Sequence, residues 1–141
     1  MAKQRIPYFL NSGSTGVTLS AGTAGALTKI VALQVQPGAK LILDRDTTLM
    51  LKDRGATETA AQSKATVYLY SPDRRSPYVL AETSYNQLKY NQDTRIQFHP
   101  VRGSVEYALQ PFAFLEVWVN SDQAIATAST DFYLEAKQEP L

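Results

Sequence analysis

The 141 residues, 44% of them hydrophobic and 10% aromatic, suffice to bury the core of one ordinary domain. Fourteen Lys and Arg against thirteen Asp and Glu leave a net charge of +1, so no long-range field draws the chain to nucleic acid or to an anionic membrane, and neither is expected as a partner. With no Cys there are no disulfides, no thiolate catalysis and no Cys-rich zinc site, and stability has to come from packing or assembly.

Within a single domain the chain divides into an arm and tether, residues 1–26, and a body, residues 27–141. The charged start, Met1 to Pro7, leads into an apolar run that stops at Leu10, too short for a signal sequence or a membrane span, which predicts a mature, soluble protein. Ile6 to Leu10 (IPYFL) is apolar and aromatic, and Asn11 to Ala26 is rich in Gly, Ser and Thr, with one strand-like patch at Val17 to Leu19. Tyr8, Phe9 and Leu10 on a free end in water make an exposed apolar patch. The segment therefore either completes a sheet of its own domain or docks on a neighbouring subunit.

The body opens at Leu27 with a strand in which Lys29, Val31, Leu33 and Val35 share one face and Ile30, Ala32 and Gln34 the other, up to the Pro37-Gly38 turn. Lys40 to Leu43 and Thr47 to Lys52 flank Asp44-Arg45-Asp46 as either one bent strand or a hairpin. Ala56 to Lys64 is polar and Ala-rich and reads as a mobile loop or a helical turn. Thr66 to Tyr70, with Val67 and Leu69 opposite Tyr68 and Tyr70, and Tyr78 to Ala81 form a hairpin across Ser71 to Pro77. Tyr85 to Asp93 is irregular, Thr94 to His99 alternates, and Val105, Tyr107 and Leu109 alternate again. Phe112 to Asn120 is the most apolar stretch and predicts a central strand covered on both faces. Ala124 to Ala128 and Thr130 to Ala136 close the domain as strands. Eight to ten short strands with regular turns and no sustained helical period predict an all-β fold, an antiparallel β-sandwich of jelly-roll or Greek-key type with an N-terminal arm.

Residues that carry chemistry are few. The single histidine, His99, precedes Pro100 at a strand end with no motif to supply triad partners, and reads as structural or solvent-facing. Asp44, Asp46 and Asp53 are the best acidic cluster for a weak ion site, but Arg45 and Arg54 offset their charge and the EF-hand spacing is absent, so salt-bridged turns are expected. Glu106 and Glu116 are the candidate glycosidase pair and read as solvent-facing strand residues instead. With no phosphate loop, GxSxG or HExxH, no enzyme activity, catalytic residue, cofactor or metal is expected. Arg74-Arg75 with Tyr68, Tyr70, Tyr85 and Tyr90 offers an aromatic platform, better suited to carbohydrate than to nucleic acid because the chain is close to neutral.

The IPYFL arm, the TGVTLSAGTAG tether, the LTKIVALQVQPG strand and turn, and the FAFLEVWVN strand together resemble, in overall style, the decoration or cement proteins of tailed-bacteriophage capsids. That resemblance implies a non-enzymatic virion protein, often trimeric, made in the host cytoplasm, that binds the major capsid protein on the capsid exterior and clamps adjacent capsomers. In that reading Ile6, Tyr8, Phe9 and Leu10 are the apolar segment that meets the partner, Lys3 and Arg5 are steering or rim charges, and several modest contacts act together through effective concentration. Removing residues 1–10 is then expected to abolish assembly and leave the body folded. The alternative is a monomeric β-sandwich binding module for a carbohydrate or protein ligand.

Overall fold

A computed structural model describes residues 4–53, 63–75, 77–84, 89–90, 93–121 and 124–141, with the backbone alone at residues 63, 84, 89–90 and 93–97. It is an all-β antiparallel sandwich. The strands are β1 (Ile6–Asn11), β2 (Val17–Leu19), β3 (Leu27–Gln34), β4 (Ala39–Leu43), β5 (Thr48–Asp53), β6 (Ser63–Tyr70), β7 (Tyr78–Ser84), β8 (Lys89–Tyr90), β9 (Asp93–Phe98), β10 (Tyr107–Leu109), β11 (Phe114–Ser121) and β12 (Thr130–Pro140). One sheet has the order β2-β3-β11-β6-β7. The other holds β10-β4-β12-β5-β9-β8 with β1 added on β12. Neighbours are mostly distant in sequence, and the chain passes repeatedly between the sheets, with β2–β3, β4–β5, β6–β7 and β8–β10 each staying within one of them, in the manner of Greek-key connectivity. The β6–β7 hairpin expected across Ser71 to Pro77 is present.

The register resolves the alternative at Asp44 to Asp46. β1 covers residues 133–138 of β12, while β5 covers 130–135 and β4 covers 137–140. A strand has two edges, so β4 and β5 lie end to end along the edge opposite β1, as one strand bent at Asp44 to Thr47. The tight turn there is closed by Thr47 N–H donating to Asp44 O at 3.0 Å and by Asp46 N–H donating to Asp44 Oδ1 at 2.9 Å.

Alternation brings the core together from both sheets. Val31, Leu33, Val67, Leu115 and Val117 meet Leu43, Leu49, Leu51, Phe132 and Leu134, all at 2% exposure or less. Each such side chain, on full burial, contributes roughly 1.5–3 kcal/mol relative to exposure. β3 departs from the alternation that its sequence predicts. Val117 pairs with Val31 but Trp118 pairs with Lys29, so Ile30 is an extra residue bulged into β3. The bulge turns both Ile30 and Val31 inward and moves Lys29 to the outer face beside Trp118, instead of onto the face of Val31.

Other expectations also shift. Ala124 to Ala128 is not a strand but an isolated bridge from Ile125 to Gly22 followed by a 3-10 turn, Thr127–Ser129, and β12 continues past Ala136 to Pro140. Val105 lies ahead of β10, half exposed, and the segment expected to be irregular contributes the two residues of β8. The Ala56 to Lys64 loop lies outside the described residues up to position 62, after which β6 begins. In the tether, Gly16 sits at φ +87°, and a Cβ there would stand 2.7 Å from Gln34 O, so the close passage of this turn over β3 needs glycine.

Candidate functional site

β1 carries the segment marked for partner contact. Of the two placements the sequence allows, the structure has this segment completing a sheet of its own chain, antiparallel to β12 from Ile6 opposite Gln138 to Asn11 opposite Tyr133. Leu10 is 4% exposed and Tyr8 packs partly buried against the core. Phe9 faces outward, 53% exposed, and stacks on Tyr133 with ring centroids 6.4 Å apart and planes 15° from parallel. Ile6 is 45% exposed at the head of the strand. Lys3 lies outside the described residues. The six candidate residues thus divide: Leu10 and Tyr8 anchor the strand, and Phe9 and Ile6 present surface.

Arg5 fastens the head of β1. Its guanidinium grips Glu106 with two N–H groups, Nη2 donating to Oε1 at 2.6 Å and Nη1 to Oε2, and its Nε donates to Glu139 Oε1 at 3.2 Å. The hydrogen bond from Arg5 holds the Glu106 carboxyl below the usual range. Next to this clamp Lys137 Nζ reaches Asp44 Oδ2 at 2.7 Å and Asp46 Oδ2 at 3.3 Å. Burial pushes the Asp44 carboxyl up, but Lys137 and the Asp46 N–H outweigh it and leave the pKa lowered. Both carboxyls have folded values below their unfolded ones, so their stabilisation is complete above about pH 5 and is lost as pH falls through the folded values. Acidification below about pH 4 is therefore expected to loosen β1 before the central strands. Amide exchange checks this: protection of Ile6–Asn11 should drop relative to β11, and unchanged relative protection would show that the clamp contributes nothing.

A second cluster lies on the outer face of the five-stranded sheet. β11 puts Phe114, Glu116 and Trp118 on this face, and the register sets Tyr70 opposite Phe114 and Tyr68 opposite Glu116 on β6. Glu116 is not solvent-facing as the sequence reading has it. Its exposure is 0%. The reason is the β6–β7 turn, where Arg74 adopts φ +59° and lays its guanidinium back over the sheet, 4.7 Å from the Tyr70 ring centroid and 4.9 Å from that of Phe114. Arg74 Nη1 donates to Glu116 Oε2, Trp118 Nε1 donates to Oε1 at 3.0 Å, and Lys29 Nζ stands 3.9 Å away. Each carboxylate oxygen has a donor, which is what keeps a buried charge tolerable. Burial and then the Glu116 charge raise the pKa of Tyr70. Tyr68 packs 6.3 Å from Tyr70 and edge-on to Trp118 at 6.1 Å and 80°. Of the four platform tyrosines, Tyr68 and Tyr70 are brought together here, Tyr85 lies outside the described residues, and only the backbone of Tyr90 is described. A lone carboxylate in the middle of the most apolar strand was the sequence signal for this cluster.

The remaining candidates do not converge. Glu106 is engaged by Arg5 on one sheet while Glu116 lies on the outer face of the other, so the two do not face across a cleft. Asp53 is at the far end of β5 from Asp44 and Asp46 and accepts from Ser129 Oγ at 3.2 Å. The salt-bridged turn expected there exists, with Lys137 as the cation. His99 Nδ1 lies 3.0 Å from Thr47 O and 3.3 Å from Thr48 Oγ1, at the border of a cleft of about 640 Å³ between β7 and the β9–β10 side that also takes in Leu80, Phe98 and Arg102. The carboxylate of that cleft, Glu82, pairs with Lys64 at 3.1 Å.

No family model and no curated protein matches the chain in sequence. Among solved structures it aligns with a xylan-binding module, CBM15, over 99% of this chain and 97% of the other, at 12% identity and a TM-score of 0.43. VP17, a capsid protein of bacteriophage P23-77, aligns over 98% and 97% at 7% identity and a TM-score of 0.46. A chain from infectious bursal disease virus aligns over 96% of this chain and 32% of its own length, at 10% identity and a TM-score of 0.44.

Proposed function

We propose that this chain is a structural virion protein that binds the outside of a capsid and reinforces contacts between capsomers, working as a homo-oligomer, most simply a trimer, on a major capsid protein. The observation that supports it is Phe9, exposed on the outer face of a terminal strand that pairs, among the described strands, with β12 alone, with Ile6 also exposed at the head of that strand. Aromatic and aliphatic anchors on a rigid strand lose little freedom when a partner covers them, and an open sheet edge adds main-chain donors and acceptors. The resemblance in arm, tether and central strand to decoration proteins supplies the assembly.

Absolute mass by light scattering tests this on the full chain and on Phe9→Asp. A trimer is expected for the full chain and a lighter species for the variant, with thermal unfolding little changed because Phe9 is surface. A monomer for both overturns the assembly reading. A second reading, a monomeric binding module, is then favoured by the aromatic outer face around Trp118.

A further inference from the structure

We infer that the outer face of the β2-β3-β11-β6-β7 sheet, centred on Tyr68 and Trp118, is a binding platform for a neutral glycan. This goes beyond the virion reading and does not depend on it.

An outer sheet face in water ordinarily alternates to polar residues, yet this one carries four aromatic rings in adjacent register rows of β11 and β6. They pack on one another, and among the described residues only the Arg74 turn lies over them, on Tyr70 and Phe114, so Tyr68 and Trp118 stay partly exposed. Along the row that holds Glu116 and Tyr68, β3 and β2 contribute only Ala32 and Thr18, small residues that leave room beside the rings for a flat ligand. The C–H face of a pyranose packs on an aromatic ring as other apolar surface does, and its hydroxyls need donors and acceptors in the same plane. Lys29, Arg74 and the Tyr68 hydroxyl provide these around the rings.

Charge selects the ligand class. Glu116 offsets one of Arg74 and Lys29, and Lys64 pairs with Glu82 at 3.1 Å, so the formal charge of this face sums to +1 over five groups. A polyanion such as nucleic acid gains little from so weak a field, whereas a neutral, hydroxyl-rich polymer needs none. The face is also held rigid before any ligand arrives. Arg74 sits in a left-handed conformation that a non-glycine residue adopts at a cost, and this conformation places its guanidinium on Glu116 and between two rings. Such preorganisation lowers the ordering cost of binding.

Titration of the full chain with cello-, manno- and galacto-oligosaccharides and with heparin, followed by Trp118 fluorescence, decides the matter. Trp118 is the single tryptophan, so the signal reports this face alone. Saturable binding of at least one neutral oligosaccharide, insensitive to salt between 50 and 500 mM (roughly the range over which phosphate-type contacts weaken strongly), is expected. Tyr68→Ala should weaken it at least about tenfold, the size that loss of one stacking residue brings, with the circular dichroism spectrum unchanged. Should Tyr68→Ala fail to fold, Lys29→Ala, which removes a rim donor from the surface, takes its place and should weaken binding several-fold. Absence of binding by all the neutral sugars overturns the inference. So does salt-sensitive binding of heparin alone, or a drop in solution mass for Tyr68→Ala, which would make the face a protein interface. Because the readout uses no shell and no Phe9 variant, its failure leaves the virion reading standing, and the reverse holds as well.

Discussion

A chain that begins at Ser12, lacking β1, is expected to be unfolded or aggregated at neutral pH, and Leu10→Ala in the full chain to lose about 2–5 kcal/mol. Leu10 is 4% exposed and lies opposite Leu134, itself fully buried and paired on its other side with Leu49. Truncation removes that side chain, the packed ring of Tyr8 and the hydrogen-bonded ladder along residues 133–138, and leaves β12 as a bare edge. Domains of this size are stable by about 5–15 kcal/mol, so the summed loss is of the order of the whole. Exposed edges also pair with other chains, which makes aggregation the expected form of the failure. Urea unfolding of both proteins measures this. A truncated chain with the full-length midpoint would mean that β1 is detachable, the behaviour expected of a free arm.

Glu116→Ala is expected to lower stability by about 2–3 kcal/mol, near the lower end of what breaking a buried ion pair costs. The substitution leaves Trp118 Nε1 without its acceptor and Arg74 without its carboxylate while its guanidinium lies against two rings. Arg74 and Lys29 retain 40% and 35% side-chain exposure, so both rehydrate in part and the loss stays below that of a fully enclosed pair. Glu116→Gln keeps an oxygen for Trp118 and should lose less. The same experiment reads the turn: without Glu116 the left-handed Arg74 no longer has its partner, and amide protection in β7 should fall together with the unfolding midpoint. A neutral or stabilising Glu116→Ala would show that desolvation of the charge outweighs its contacts and that the carboxylate is kept for what the face binds.

Local pattern made the class of fold legible. Period-two alternation gave β3, β6, β11 and β12, turn residues gave the β6–β7 hairpin, and the run from Phe112 to Asn120 gave the middle strand of its sheet, although that strand starts only at Phe114 and its outer face carries partly exposed rings where cover on both faces was expected. The bulge at Ile30 escaped detection since it exists only relative to the partner strand, where Trp118 meets Lys29. Glu116 was misplaced for a related reason. A carboxylate on an outer face is solvent-facing by pattern, and what buries it is a guanidinium 42 positions away delivered by a turn.

By itself, the sequence determined an all-β chain of short strands, the absence of Cys chemistry, a near-neutral charge, and an apolar N-terminal segment that had to be covered by something. Tertiary structure alone decided what covers it, because IPYFL has the same pattern whether its partner strand is β12 of its own chain or a strand of a neighbour, and only the register with residues 133–138 and the Arg5 grip on Glu106 separate the two. It also decided where the candidate surfaces lie, since rings and charges on β3, β6, β11 and the Arg74 turn meet through sheet pairing that spans most of the chain, and contacts of that range leave no local trace in sequence.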